Sequence, residues 1–300
     1  MLPAMKSLPG FAVLLGLLFF VASPPPSRAE ESATQIRTIA DIAYKTGGAL
    51  SKYEAERCKL DIYLPPGGKN FATLVWFHGG ALKAGSKGGT GDSDKTPAIA
   101  RALASGGIAV VAVNYRLSPK ATFPAYLEDA AASVAWVRAH IAEHGGDPAK
   151  VFISGHSAGG WIALMLAMDA RWLKPHRLTP DSFAGYVPLS GQTMTHYTVR
   201  EERGIGKETI IADEAAPVYH CRKDTPPMLV LAADHDMAAR SEENEYFVAV
   251  LKGAGNQRVT FRQIADRAHG SIAHDMVKPG DPVRQAILDF MAETASAAAR

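Results

Sequence analysis

From Cys58 onward the chain alternates short β-type runs with helix-type segments, and no other feature limits its folding so strongly. Residues 73–77, 108–113, 151–154, 186–189 and 228–232 are apolar almost throughout. Strands buried on both faces have this composition, and a parallel sheet covered by helices supplies that environment. Residues 60–64 alternate with a period of two instead, which predicts a half-buried strand, and residues 259–264 read as another strand. A helix is expected from about Pro97 to Gly106-Gly107, with Pro at a tolerated early position and Gly at the stop. Residues 125–144 place Leu127, Ala131, Val134 and Val137 on one stripe, and residues 242–252 and 283–295 read the same way. The alternation predicts a single α/β domain over residues 30–300, with a mostly parallel central sheet flanked by helices. Two segments fit no element: the glycine-rich stretch 83–94, and 191–227, a polar insert before the late strands. Loops of that length in a compact domain tend to cover or line sites.

Residues 1–29 stand apart from this pattern. Lys6 gives a weakly basic start, residues 11–22 are apolar, and Pro24, Pro25 and Pro26 end the run. Ser27 and Ala29 then put small residues at the two positions a signal peptidase reads, so a signal peptide over 1–29 and an exported protein are expected. An apolar stretch that short does not reach the ~20 residues of a bilayer span, so stable membrane insertion is not expected after cleavage. The formal charge of +2 is nearly balanced, and no run of Lys or Arg is long enough to track a phosphate backbone. Nucleic acid is therefore not an expected partner. Export permits disulfides. The two cysteines, Cys58 and Cys221, are expected in an early strand and before a late one, far apart in the sheet and unpaired.

Gly155-His156-Ser157-Ala158-Gly159 matches G-x-S-x-G between the strand at 151–154 and the apolar helix at 161–168. A serine on so sharp a turn exposes its hydroxyl at the end of the sheet, and the flanking glycines remove side chains that would clash. A hydroxyl needs a base to take its proton, and the base needs an orienting carboxylate. In this arrangement the acid and then the base follow the serine in chain order, each after a late strand. Asp236 follows residues 228–232 and His269 follows residues 259–264. Asp234 competes with Asp236, and His274 with His269. Asp236 is preferred because two or three residues are needed to turn from the strand end, and His269 because it falls in the loop beside Gly270. Acyl chemistry also needs donors for a developing oxyanion. His78-Gly79-Gly80 follows the strand at 73–77, so the backbone N–H groups of Gly79 and Gly80, with that of Ala158, are the candidate oxyanion hole.

These motifs resemble the hormone-sensitive-lipase type of α/β-hydrolase, especially the carboxylesterases grouped with bifunctional feruloyl and acetyl-xylan esterases. The resemblance runs from about Cys58 to Met291. It is carried by LVWFHGGALKAGSKGG, VNYRLSP, FPAYLEDAAASVAWVRAHI, GGDPAKVFISGHSAGG, VPLSGQ, PPMLVLAADHD and AHGSI. It implies Ser157 as nucleophile, His269 as base, Asp236 as orienting acid, and Gly79, Gly80 and Ala158 as oxyanion donors, with no metal or organic cofactor. It also implies an exported carboxylesterase acting on small acyl esters, acetyl or feruloyl-type, free or linked to polysaccharide. Asp129, Asp147 and Tyr115 match recurring positions of structural character. Ala81-Leu82 stands where relatives often carry Gly-Trp. An arylformamidase-like amidohydrolase and a non-catalytic binding protein on the same fold are the alternatives.

Four further patterns have plainer readings. His140-Ile141-Ala142-Glu143-His144 has the spacing of an inverted zincin, yet it sits where a helix ends and lacks a third ligand. Gly80 to Lys87 resembles a phosphate loop, but the Lys follows the Ser. Trp136, Trp161 and Trp172 are expected in the core or a pocket wall, and the charges of residues 200–208 on a solvated face.

Overall fold

Leu74 and Trp76 enter one hydrophobic core while Val75 and Phe77 enter another on the opposite face of the same strand. That division is why the run at 73–77 carries almost no polar position. The computed structural model describes residues 35–91 and 94–298, with the isolated Ala4. Apart from Ala4, the expected signal peptide lies outside the described residues.

In chain order the elements are β1 (Arg37–Ala43), α1 (Lys52–Arg57), β2 (Lys59–Leu64), β3 (Phe71–Phe77), α2 (Thr96–Ala104), β4 (Ala109–Val113), α3 (Ala125–His140) and β5 (Gly146–His156). They continue with α4 (Ala158–Met168), β6 (Gly185–Leu189), α5 (Tyr197–Glu202), β7 (Met228–His235), α6 (Arg240–Gly253), β8 (Val259–Ala268), α7 (Ser271–His274) and α8 (Pro282–Ala298). The eight strands form one sheet in the order β1-β2-β4-β3-β5-β6-β7-β8. β2 runs antiparallel to both its neighbours, and the remaining pairs are parallel. One face packs against α3, α4 and α6 through residues such as Val134, Leu164 and Phe247. The other packs against α2 and α8 through Ile99, Leu103, Val283 and Ile287. No helix among the described residues is long and apolar enough to cross a membrane.

The structure corrects several expectations. β1 is an additional strand before Cys58, and Cys58 caps α1 rather than lying in a strand. Cys58 and Cys221 are both free thiols, as expected. β2 is buried along both faces rather than half-buried, because Asp61, at the expected exposed position, is paired with Lys87 Nζ at 2.7 Å. α3 ends at His140, and residues 141–144 tighten into a 3₁₀ turn closed by Gly145 at φ +93°. The insert at 191–227 is not structureless, since it contains α5 and a short 3₁₀ turn. Within it Arg200 is buried, and Glu202 accepts hydrogen bonds from the Phe123 N–H and the Tyr126 hydroxyl. The charge run at 200–208 is thus only partly a solvated face.

Candidate active site

β5 ends at His156 and α4 begins at Ala158, so Ser157 alone makes the turn. Its backbone sits at φ +56°, ψ −115°, a sparsely populated region that costs ~1–3 kcal/mol and persists only where the surroundings over-determine it. Here the Ser157 N–H donates to Leu189 O at 2.9 Å, and Trp161 N donates to Ser157 O at 2.9 Å. A Cβ on Gly159 would lie 2.0 Å from the Phe77 carbonyl oxygen, and one on Gly155 would lie 2.6 Å from the backbone of Gly159. The close approach of strand and helix that creates the turn therefore admits no side chain at either position.

Ser157, His269 and Asp236 come together at the C-terminal ends of β5, β8 and β7. His269 Nδ1 donates to Asp236 Oδ1 at 2.5 Å, and the Ser157 hydroxyl donates to His269 Nε2 at 2.9 Å. The carboxylate only accepts, so it fixes the proton on Nδ1 and leaves the Nε2 lone pair facing the serine. Burial alone would raise the Asp236 carboxyl, but hydrogen bonds from His269 and from the Ser190 hydroxyl hold it below the usual carboxylate range. The Met237 N–H adds a further bond at 2.7 Å. Asp234 has a different position: it accepts the backbone N–H groups of Asp266 and Arg267 at 2.8 and 2.9 Å and fastens the end of β8 to β7. His274 lies on α7, its ring 6.2 Å from that of His156.

Gly79 and Gly80 leave the end of β3 beside the serine, and a Cβ on Gly79 would lie 3.4 Å from Ser157 Cβ. Among the described residues no backbone acceptor takes the N–H of Gly79, Gly80 or Ala158. Peptide planarity aims two of these donors, because each N–H opposes the carbonyl of the preceding residue. The Tyr115 hydroxyl donates to His78 O at 2.8 Å, and His78 Nδ1 donates to Gly79 O at 2.7 Å. Those bonds fix the peptides that carry the N–H groups of Gly79 and Gly80. The His78 ring stacks on Tyr115 at 4.4 Å, and burial pushes its pKa down to about 4, so it stays neutral. Asp129, fully buried on α3, accepts two bonds from the Arg116 guanidinium at 2.8 Å and one from Lys45.

A cavity of about 390 Å³ opens over Ser157. Small residues of the loop after β3, Ala81 and Ala84 among them, line it, and Trp76, Ile99, Tyr197 and Met237 supply apolar wall. Both segments that fit no element contribute: Gly85, Thr90 and Asp94 come from 83–94 and Tyr197 from the insert. Trp161 is fully buried in the core, with Nε1 donating to Ala215 O at 3.1 Å, while Trp136 and Trp172 pack at the core's margin. Trp76 is the tryptophan in the cavity wall, a role its apolar run does not signal.

Sequence reasoning also passes over His156 and Ser190. His156 Nε2 donates to the His269 carbonyl at 2.6 Å and so ties the Ser157 turn to the loop that carries His269. Ser190 lies in VPLSGQ, and a small polar residue ending a buried strand is the signal that marks it. Of the other patterns, His140 stacks on Trp136 at 4.4 Å with Nδ1 on the Trp136 carbonyl. Among the described residues no cluster of three or more His, Cys, Asp or Glu is arranged to hold a metal. Lys87 of the phosphate-loop lookalike is buried between Asp41 and Asp61.

The BD-FAE family model matches residues 60–181. The esterase LipQ of Mycobacterium tuberculosis is 27% identical over 296 residues, which cover 92% of this chain and 66% of LipQ. A probable carboxylic ester hydrolase of the same organism, LipM, is 30% identical over 239 residues, 73% of this chain and 54% of LipM. The chain thus spans two thirds or less of these curated relatives. Among solved structures, a truncated carbohydrate esterase from gut microbiota superposes with a TM-score of 0.70 at 20% identity, covering 89% of this chain and 98% of that one. A hyperthermophilic esterase from Pyrobaculum calidifontis superposes at 0.64 and 23% identity, covering 89% and 88%.

Proposed function

We propose that the chain, which has the fold of these esterases, is an α/β-hydrolase of the hormone-sensitive-lipase type and a serine esterase working through Ser157, His269 and Asp236. The observation that carries the reading is the unbroken hydrogen-bonded chain from the Ser157 hydroxyl, on its strained backbone, through His269 to Asp236, beside N–H groups that no backbone acceptor takes. In this reading His269 Nε2 takes the hydroxyl proton as Ser157 Oγ attacks the ester carbonyl. The carbonyl π pair moves onto oxygen, where the N–H groups of Gly79, Gly80 and Ala158 stabilise it; one such donor is worth ~3–4 kcal/mol. Collapse of the tetrahedral adduct expels the alkoxide, protonated by His269, and leaves an acyl-serine. Water, deprotonated by the same imidazole, then releases the acid. Asp236 holds the imidazole in its reactive tautomer and stabilises the imidazolium.

For the substrate we propose small acyl groups, acetyl or feruloyl-type, carried on carbohydrate. The small residues around Ser157, the apolar wall and the likeness to a carbohydrate esterase support this. We also read residues 1–29 as a signal peptide, which N-terminal sequencing of the protein recovered outside the cytoplasm would test.

The deciding experiment is turnover of p-nitrophenyl acetate and butyrate by the wild type and Ser157→Ala, with intact-mass detection of a fluorophosphonate adduct. The variant is expected to lose adduct formation and at least ~10⁴-fold in turnover. Turnover unchanged in Ser157→Ala, or an active wild type that takes no adduct, would remove Ser157 from the chemistry. Comparing acetyl esters with formanilides distinguishes an esterase from an amidohydrolase.

A further inference from the structure

We propose that Thr198, on the helix of the insert, is a positioning residue for the oxyanion loop, so that residues 191–227 supply part of the catalytic geometry; this rests on the serine-esterase reading above. The loop passes through three successive left-handed residues: Gly80 at φ +103°, Ala81 at +59° and Leu82 at +61°. Glycine adopts that conformation freely, but alanine and leucine do so only where neighbours hold them. Two of the three carbonyls are held by nearby chain. Gly80 O accepts from Lys83 N and Ala84 N at 2.9 and 2.8 Å, and Leu82 O accepts from Ser118 N at 2.8 Å. The carbonyl between them, on Ala81, is held by the Thr198 hydroxyl at 2.6 Å.

The anchor is itself immobile. Thr198 and Val199 are fully buried, and Glu202 at the end of α5 accepts bonds from Phe123 N and Tyr126 Oη at 2.9 and 3.0 Å. The helix grips the loop a second time through Glu201 and Lys83, whose charged groups lie 2.6 Å apart. Its first residue, Tyr197, stands in the cavity wall. The insert therefore fixes the backbone that follows the Gly79 and Gly80 donors while its helix start shapes the space for substrate. A loop with alanine and leucine at two left-handed positions needs such an outside hold more than one with glycine there.

Thr198→Val keeps the shape of the side chain and removes the donor. The expected result is a roughly tenfold fall in kcat on p-nitrophenyl acetate with KM within about twofold, since the donors act chiefly on the transition state. Affinity for phenylboronic acid, which forms a tetrahedral adduct on the serine, should fall by a similar factor. The pH midpoint of kcat should not move, because His269 is untouched. Thr198→Ser, which keeps the hydroxyl, should return kcat to within about threefold of the wild type. Boronate affinity is corrected for the folded fraction measured by circular dichroism, so partial unfolding does not mimic its loss. Kinetics and boronate affinity of Thr198→Val within twofold of an active wild type would overturn the positioning role and leave the esterase reading intact. Equal impairment of Thr198→Ser and Thr198→Val would also overturn it. A wild type that hydrolyses no ester would overturn the esterase reading first and this one with it.

Discussion

His156 has one tautomer open to it. Its Nε2 lies 2.6 Å from the His269 carbonyl, which only accepts, so the proton is on Nε2 and Nδ1 is left facing Gly79. Burial and the neighbouring His269 ring push its pKa down to about 3, which keeps the ring neutral. A single side chain thus links the Ser157 turn to the loop that carries His269. Leucine at 156 would fill much of the same space and leave the carbonyl unpaired, at a cost of ~1–3 kcal/mol. Glutamine would keep an N–H near the position of Nε2. His156→Leu is therefore expected to lose about that much stability in urea denaturation and roughly tenfold in kcat, with His156→Gln recovering most of both. Identical behaviour of the two variants would show that the bond carries no weight. The sequence pattern offers no hint of this bond, because G-x-S-x-G accepts any residue at its second position and the partner lies 113 residues away.

Elements buried on both faces are the ones legible from sequence, since their composition records two cores at once. β3 to β7 are all of this kind, and so Ser157 and Asp236 could be sought at the ends of β5 and β7, whereas His269 follows β8, which is largely exposed. β1 is illegible because it pairs only with β2 at the sheet edge and mixes exposed and partly buried residues without a period of two. α5 is illegible because six residues ending in Arg-Glu-Glu owe their place to tertiary bonds through Glu202 and Thr198. The choice between Asp234 and Asp236 depends on a register shift between Ala233 and His235, which no local pattern records. The glycine-rich stretch 83–94 announces itself, but its anchor does not. Lys87, with a side chain 10% exposed, reaches Asp61 at 2.7 Å and Asp41 at 2.8 Å. Asp61 is buried like the lysine, whereas the Asp41 side chain is 68% exposed. Removing one partner of a buried pair costs ~3–5 kcal/mol, and a screened surface pair is worth ~0–1. Because Asp41 still faces the ammonium, Asp61→Asn is expected to cost about 3 kcal/mol and Asp41→Asn under about 1. Chemical denaturation of the two variants checks the ranking, and equal losses would show that the loop is held elsewhere.

Across the whole molecule the fold buries several histidines as neutral rings, and this sets how it responds to acid. His78 is depressed to about 4 and His156 to about 3, each chiefly by burial, and His196 falls well below its ordinary 6.5 for the same reason. In the unfolded chain all three bind protons as pH falls through 6.5, whereas the folded protein does not, so acid favours unfolding. Glu243 acts in the opposite sense. Burial raises its carboxyl to about 7 even with Arg240 2.6 Å away, so between 7 and 4.5 the folded state holds a proton that the unfolded state releases. Asp129 and Asp236 have depressed carboxyls, whose stabilisation is lost only below about 4, outside this window. The part-buried His176 and His274, also lowered by burial, act in the same direction as the other three histidines. Three deeply buried histidines against one glutamate leave a net loss on the order of 3 kcal/mol between pH 7 and pH 5, at ~1.4 kcal/mol per proton per pH unit. Set against the ~5–15 kcal/mol of a typical domain, that is a large share of its stability. Urea midpoints at pH 7, 6 and 5 should fall in step, and Glu243→Gln, which removes the opposing proton, should steepen the fall. A midpoint constant or rising toward pH 5 would mean that these imidazoles are not neutral in the folded state.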